Sequence, residues 1–287
     1  MSVLITGSSS YIGKNLIDFL ERNKVDYIGI DLTKPYTNKC IKMSILDTKI
    51  GTKIKKKITS IIHLAAISSD QLSVKKPQLS YEVNILGSMN LIRFAKKRNI
   101  NNFIFASTEW VYGTFKKNQI KSIKSKIYIE KLESTYAKTK AMMEKIIFDS
   151  ELNYSILRFG IIYGKKKSNF SAVESLAEQV KKKKIISVFS KKTSRSFIHI
   201  DDIIRAIILS MSHKKKQILD IQGPSLVNLE TIIKLSSKLL NKNIKILEKD
   251  KKKCSIRHIN SEISNKILKF KPKVTIDKGI REILNVQ

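Results

Sequence analysis

Tyr136 and Lys140 stand four residues apart in Ser134-Thr-Tyr-Ala-Lys-Thr-Lys140, a segment that reads as helix. That spacing sets a phenol and an ammonium on one helical face, one turn apart. A neighbouring ammonium favours the phenolate, so the spacing predicts a tyrosine pKa below its reference of about 10. A phenolate so placed takes a proton from an alcohol while a hydride leaves the same carbon. Alone, Tyr-x-x-x-Lys is a weak pattern, because a half-buried Tyr beside a solvated Lys gives the same string. The elements that must position the pair decide its meaning, and the first thirteen residues are the most informative of them.

Ser2-Val-Leu-Ile-Thr6 is a short apolar run rich in β-branched residues, which predicts a buried strand. Gly7-Ser-Ser-Ser-Tyr-Ile-Gly13 follows at once, and then Lys14-Asn-Leu-Ile-Asp-Phe-Leu-Glu21 with apolar residues at helical spacing. Strand, glycine turn and helix form the context that a dinucleotide fingerprint requires. Gly7 allows the tight turn, Gly13 lets the helix pack close to the strand, and the helix N-terminus offers backbone amides to a pyrophosphate. A second strand, Tyr27-Ile-Gly-Ile-Asp31, ends in a carboxylate 18 residues after Gly13. That is close to the spacing of the group that binds the adenosine ribose, and its charge favours NAD over NADP.

With these segments in place the chain resembles the extended short-chain dehydrogenase/reductase superfamily, in the NAD-dependent epimerase/dehydratase family of nucleotide-sugar enzymes. Further segments match in order. Ser44-Ile-Leu-Asp47 resembles the segment whose Asp meets the adenine, and Ile61-Ile-His-Leu-Ala-Ala66 the fourth strand beside the cofactor. Asn84-Ile-Leu-Gly87 resembles the helix whose Asn holds active-site backbone. Phe105-Ala-Ser-Thr-Glu-Trp-Val-Tyr-Gly113 resembles the strand and loop carrying the catalytic Ser or Thr, here Thr108. Leu157-Arg-Phe-Gly-Ile-Ile-Tyr-Gly164, Arg195-Ser-Phe-Ile-His-Ile-Asp-Asp202, Phe270-Lys-Pro272 and Gly279-Ile complete the match over nearly the whole chain.

The resemblance implies catalytic roles for Tyr136, Lys140 and Thr108, with Glu109 as a further acid/base candidate. It implies cofactor contacts at Gly7, Ser10, Tyr11, Ile12, Gly13, Asp31, Leu46, Asp47, Leu64, Ala65, Ala66, Ser68, Asn84, Tyr136, Lys140 and Phe159. Substrate contacts are implied at Thr108, Ile161, Arg195 and Arg257. Three departures matter. Ser10 replaces the family's middle glycine, and its side chain either crowds the pyrophosphate or donates to it. Trp110 stands where the dehydratase branch carries the Glu that drives water elimination, which argues against a dehydratase. Ile161 stands where many members place an Asn, so the diphosphate contact falls to Arg195 with Lys252, Lys253 or Arg257.

The 287 residues suit one cofactor domain with a compact lobe. The expected fold is α/β, a Rossmann-type doubly wound parallel sheet with a smaller, discontinuous C-terminal substrate lobe. The division expected is 1–164 with 197–222 for the NAD domain, and 165–196 with 223–287 for the lobe. Strands are expected at 2–6, 27–31, 40–43, 59–64, 101–106 and 154–159, and helices at 12–23, 78–98 and 134–150, with a weaker helix at 47–56. Residues 107–133 are expected as a polar loop region. Beyond it lie helices at 172–184, 201–212 and 229–240, strands at 218–222 and 244–247, and a short terminal helix.

The formal charge is +32, carried by 48 Lys and only eight Arg. Lysine runs at 55–57, 165–167, 181–184, 214–216 and 251–253 are scattered along the chain, whereas a nucleic-acid surface concentrates Arg and aromatics. Solvated faces and an A/T-rich coding sequence account for them, so no specific nucleic-acid partner is expected. There is no apolar run long enough for a membrane span. The first strand begins directly after Met1, leaving no room for a leader, and Cys40 and Cys254 follow no metal spacing. The expectation is a cytoplasmic enzyme without a metal. His63 and His199 fall in strand-like runs and read as structural.

The leading expectation is an NAD-dependent nucleotide-sugar 4-epimerase-like enzyme with Tyr136 as base. An NAD(P)H-dependent reductase of a nucleotide-linked 4-keto-6-deoxy sugar is the alternative. In another class stands a non-catalytic member that binds dinucleotide or RNA. The resemblance further implies a homodimer through the helices at 78–98 and 134–150.

Overall fold

The computed structural model describes residues 2–213 and 215–286. Met1 and Gln287, the outer bounds of the expected domains, and Lys214 of the 214–216 lysine run lie outside the described residues. Two compact units emerge. The first comprises 1–114, 125–158 and 204–219, and the second 115–124, 159–203 and 220–287. Segments 115–124, 159–164, 197–203 and 220–222, assigned from sequence to the NAD domain, belong by contact to the second unit.

A seven-stranded sheet runs in the order Cys40–Lys42, Tyr27–Asp31, Ser2–Thr6, Ile58–His63, Phe103–Thr108, Tyr154–Phe159, Gln217–Ile221. Adjacent strands are parallel. Ser2–Thr6, Phe103–Thr108 and Tyr154–Phe159 are buried at every position, as strands covered on both faces must be. Chain order along the sheet therefore reads 3-2-1-4-5-6-7, and it reverses between Ser2–Thr6 and Ile58–His63. At such a switch point the loops leaving the carboxyl ends of the strands diverge and open a binding site. Thr6 pairs with His63 in register, so Gly7 and Leu64 leave the sheet side by side. Leu4, Ile30, Ile61, Phe103, Phe105, Leu91 and Met143 belong to the core of this unit.

Several elements differ from expectation. The helix expected at 78–98 is three pieces: an α-turn at Pro77–Tyr81, a π-helical stretch at Glu82–Gly87 and an α-helix at Ser88–Lys97. An unexpected helix, Asp70–Lys75, precedes them. The weak helix at 47–56 shrinks to the single turn Ile50–Lys53. The strand expected at 101–106 begins at Phe103 and runs to Thr108. Asn102 is instead buried and its side chain donates to Ser60 Oγ (3.1 Å) and Met211 O (2.9 Å). The supposed loop 107–133 contains 3-10 turns at Glu109–Tyr112 and Ile129–Lys131 and a short strand, Ile120–Lys121.

The second unit has its own core, in which Tyr163, Val173, Leu176, Ile186, Ile232 and Ile280 take part. Its helices include Ala172–Lys182, Leu229–Leu239, Glu262–Leu268 and Ile276–Leu284. Ser171 and Glu174 close a full capping box at the first of these, which fixes where it starts. Short strand pairs, Ile161–Tyr163 with Phe197–His199 and Ile185–Val188 with Lys245–Glu248, complete much of the frame. Among the described residues no helix is long and apolar enough to cross a membrane.

Candidate active site

Gly7 leaves the first strand with φ +73°, and a Cβ there would come 2.8 Å from the Ala65 amide nitrogen. At Gly13 a Cβ would fall 2.2 Å from the Gly7 carbonyl oxygen, so the helix Tyr11–Arg22 can approach the strand only with glycine at that position. Ser10 is the N-cap of this helix, and its Oγ accepts from the Gly13 amide at 3.0 Å. Tyr11 and Ile12 occupy the first two helical positions, where amides precede the first intrahelical acceptor. Asp31 ends the neighbouring strand. Its Oδ2 accepts from the Ser9 amide (3.0 Å), and its Oδ1 from the amide and hydroxyl of Thr33 (both 3.0 Å). The carboxylate is thus aimed by the loop that holds Gly7.

The loop after His63 is held as firmly. Leu64 N donates to Thr6 O (3.1 Å) and Ala65 N to Thr6 Oγ1 (3.2 Å). Asn84, in the π-helical stretch, accepts from Ile67 N at 2.8 Å and donates to Ile67 O at 3.1 Å and Thr139 Oγ1 at 3.0 Å. One side chain therefore ties the loop carrying Ala66 and the exposed Ser68 to the helix carrying Tyr136. A π-bulge at such a place commonly marks a functional site. His63 is fully buried between Thr6 Oγ1 and Ser88 Oγ, at 2.7 Å from each. Ser88 Oγ donates to Asn84 O, so it accepts from His63 Nε2, and the ring is neutral with Nδ1 as acceptor. Burial lowers its pKa well below the ordinary value, which fits the structural role expected of it. Half-buried Leu46 precedes Asp47, whose carboxylate accepts from Lys49 N (2.8 Å) and from Lys53 Nζ (2.7 Å). The Lys53 hydrogen bond, more than any other interaction, lowers the Asp47 pKa.

The helix Thr135–Phe148 starts at Ser134, whose Oγ accepts from Ala137 N at 3.3 Å. Tyr136, Lys140 and Glu144 follow at four-residue spacing, and each meets one of the last three residues of the strand Phe103–Thr108. Thr108 Oγ1 accepts from Trp110 N (3.3 Å), and its hydroxyl stands near enough to the Tyr136 phenol to favour the phenolate. Lys140 Nζ donates to Ala106 O at 2.7 Å and lies 4.5 Å from the centroid of the Phe105 ring. Ser107 Oγ donates to Glu144 Oε1 at 2.5 Å.

The spacing predicts a phenol with a lowered pKa, and the free protein reverses that expectation. Tyr136 keeps part of its surface exposed, but its hydroxyl is packed about by protein, and burial raises it to about 12 against the opposing effect of the nearby Thr108 hydroxyl. Lys140 is buried and its Nζ lies 5.9 Å from the tyrosine ring centroid. Burial lowers its pKa to about 7, opposed by the nearby charge of Glu144. Desolvation, which spacing in a sequence does not reveal, outweighs the ammonium–phenolate attraction.

Glu109, the further acid/base candidate, is 1% exposed and so is not a solvated carboxylate. Trp110 beside it is 43% exposed and faces outward. Phe159, Ile161, Arg195 and Arg257 stand in the second unit and are described within it. Phe159 is buried and Ile161 half-buried. Arg195 donates to Ser194 O (2.8 Å), Ser255 O (2.7 Å) and Ser255 Oγ (3.1 Å). Buried Arg257 lies over the Phe115 ring at 4.6 Å, and Lys121 lies at the same distance from that ring. Lys252 and Lys253 are exposed, with Lys253 over Phe189. Among the described residues one trio, His199, Asp201 and Glu282, brings potential metal-ligating atoms together. His199 is buried, accepts from Asp201 N at 3.3 Å and packs edge-on against Tyr163, as a structural histidine does. Cys40 and Cys254 are both free thiols.

Sequence reasoning missed Arg158, Glu144, Ser107 and Tyr112. Arg158 and Glu144, 4% and 5% exposed, form a buried ion pair with Nη2–Oε2 at 2.6 Å. Arg158 Nη1 donates to Tyr112 Oη at 2.8 Å. The signal was present, since Glu144 continues the face of Tyr136 and Lys140 by one more turn.

The fold is shared with known proteins. A UDP-glucose 4-epimerase of Thermotoga maritima, solved with UDP-glucose, superposes with a TM-score of 0.86 at 22% identity, covering 99% of this chain and 98% of its own. An uncharacterized protein of Methanocaldococcus jannaschii is 27% identical over 313 residues, covering 99% of this chain and 95% of the relative. A UDP-glucuronate 4-epimerase of Thermodesulfobacterium geofontis is 24% identical over 309 residues, covering 98% and 94%. The NAD dependent epimerase/dehydratase family matches residues 3–221. The chain belongs to that family and is an NAD-dependent enzyme of its epimerase/oxidoreductase type.

Proposed function

We propose that this enzyme is a nucleotide-sugar 4-epimerase in which Tyr136 moves the proton. The observation that carries the reading is the convergence of Tyr136 and Lys140, one helical turn apart with Nζ 5.9 Å from the phenol ring centroid, on the strand end that carries Thr108. The donor set fits NAD. Gly7 and Gly13 let the fingerprint turn and the helix behind it pack closely, the amides of Tyr11 and Ile12 suit a pyrophosphate, and Asp31 suits ribose hydroxyls. Leu46, Asp47, Leu64, Ala65, Ala66, Ser68 and Asn84 would flank the remainder, and Phe159 is a further cofactor contact that we assign.

NAD supplies the hydride acceptor and donor, together with a positive charge in its oxidised form. Tyr136 accepts the proton of the sugar hydroxyl as the carbon loses its hydride, and returns it when the hydride comes back to the opposite face. Thr108 donates to the same oxygen as it gains negative charge. Lys140 supplies the ammonium that favours the phenolate. Trp110 in place of the dehydratase acid supports epimerisation over water loss. Arg195 and Arg257 are the cations that we assign to the substrate diphosphate, with Ile161 beside the sugar. The relatives named as 4-epimerases of UDP-glucuronate and UDP-glucose point to substrates of that class. We further assign a cytoplasmic homodimer, with the exposed Leu79, Tyr81, Leu86 and Phe148 of the two helical segments as its apolar contacts.

The test is to incubate purified protein with UDP-glucose and UDP-glucuronate and follow the sugar by NMR. Epimer formation without added cofactor supports the reading. Stoichiometric consumption of NADH by a keto sugar, with no epimer formed, would replace it with a reductase.

A further inference from the structure

We propose that Glu144 is a positioning residue for this reaction: by joining Ser107 to Arg158 it locks the end of the Phe103–Thr108 strand onto the helix that carries Tyr136 and Lys140. The inference rests on the reading of Tyr136, Lys140 and Thr108 given above. Its ground is the buried network. Glu144 Oε1 accepts from Ser107 Oγ (2.5 Å) and Arg158 Nε (3.0 Å), and Oε2 accepts from Arg158 Nε (3.1 Å) and Nη2 (2.6 Å). The remaining terminal nitrogen, Nη1, donates to Tyr112, four residues beyond Thr108. The pair therefore grips the chain on both sides of Thr108: Ser107 immediately before it, and Tyr112 at the end of the 3-10 turn after it.

A buried ion pair adds little net stability compared with a well-packed apolar substitute, because desolvation offsets the attraction. What this pair does provide is a fixed geometry, since a planar guanidinium meets a carboxylate in few orientations. Thr108 has to reach an oxygen bound at Tyr136 within hydrogen-bond distance, and a shift of an ångström there costs rate. Glu144 has a second lever. Its charge lies one turn from Lys140 and supports the ammonium against burial.

The two levers separate in two variants. Glu144→Gln removes the charge and weakens the lock. Ser107→Ala removes the tie to the strand and leaves the ion pair in place. The test uses full-length NAD-loaded protein labelled at the lysine ε-carbons, with the Lys140 resonance identified by its loss in Lys140→Met. In Glu144→Gln the Lys140 titration midpoint is expected to fall by about half a unit or more. The kcat for UDP-glucuronate or UDP-glucose is expected to fall by about 10- to 100-fold with KM within about twofold. Ser107→Ala is expected to lower kcat by about tenfold with the midpoint unmoved, and Glu144→Asp to restore the midpoint. An unmoved Lys140 midpoint, or an undiminished kcat, in a Glu144→Gln protein that melts cooperatively overturns the proposal. If Glu144→Gln does not fold, a Ser107→Ala protein with wild-type kcat overturns it instead. Tyr136→Phe is assayed alongside. If it still turns over, the assignment of Tyr136 fails. If it is inactive while Glu144→Gln is unchanged, only the Glu144 proposal fails.

Discussion

Lys140 Nζ donates to the carbonyl oxygen of Ala106 across 2.7 Å, so the buried lysine is fastened to the strand that ends in Thr108. Its polar partners there are that carbonyl and the charge of Glu144 one turn away, and they do not repay the desolvation of an ammonium. Folding therefore lowers its pKa to about 7 from the ordinary 10.5. Between those values the unfolded chain binds the proton and the folded chain does not, so this group makes stability rise with pH over that window and costs stability below it. Relative to Lys140→Met, the wild-type protein without NAD is expected to gain melting temperature from pH 6 to pH 9 (a range of about three units). Melts of the two proteins across that range check it. A constant difference would mean that the lysine keeps its proton throughout.

Tyr136→Phe is expected to lower turnover by about 10²- to 10⁴-fold, the usual worth of a general base. The ring and its packing remain, so the Kd for NAD should stay within a few-fold. The free phenol sits at about 12, so it needs added positive charge before it can act near neutrality. Tyrosinate absorbance, taken as wild type minus Tyr136→Phe, should therefore titrate at lower pH with NAD bound than without. Equal midpoints in the two states would contradict the role assigned to the cofactor charge.

How much of this was legible follows from what each feature depends on. Strands such as Tyr154–Phe159 are short apolar runs buried on both faces, and their composition alone marks them. The fingerprint was legible because glycine at positions 7 and 13 answers a steric demand that no other residue meets. The π-helical stretch at Glu82–Gly87 was not, since 78–98 has helical periodicity throughout and only the docking of Asn84 and the contact of Gly87 with Ile45 single it out. Two-residue strands such as Ile120–Lys121 are too short to show a period. Glu144 shares the helical face of Tyr136 and Lys140, but its pairing with Arg158 joins two elements that only the fold brings together. The tyrosine pKa was misread for the same reason, as burial belongs to the assembled structure.

Asp31 is expected to decide between dinucleotides. Ser9 and Thr33 hold its carboxylate at the end of its strand, where its charge opposes a 2′-phosphate. Asp31→Ser should shift the ratio of NAD to NADP affinity toward NADP by about 10- to 100-fold. Calorimetric titration with each dinucleotide measures this. An unchanged ratio would place the ribose elsewhere.

Ser10 raised two opposite expectations, crowding or donation, and its geometry favours donation. The Oγ accepts from the Gly13 amide, which leaves its own proton to offer to a ligand oxygen. Ser10→Ala loses both functions. It is expected to cost about 1 kcal/mol of stability through the lost cap. It should also weaken NAD by about tenfold, since a hydrogen bond to a charged phosphate oxygen is worth more than a neutral one. Ser10→Gly is well tolerated at an N-cap, so its stability should fall by only a few tenths of a kcal/mol while NAD still weakens. The pair of variants thus separates the cap from the ligand contact. Melting curves report the first and calorimetry the second. If either variant binds NAD more tightly than the wild-type protein, the serine hinders the pyrophosphate, and the hydroxyl serves the helix alone.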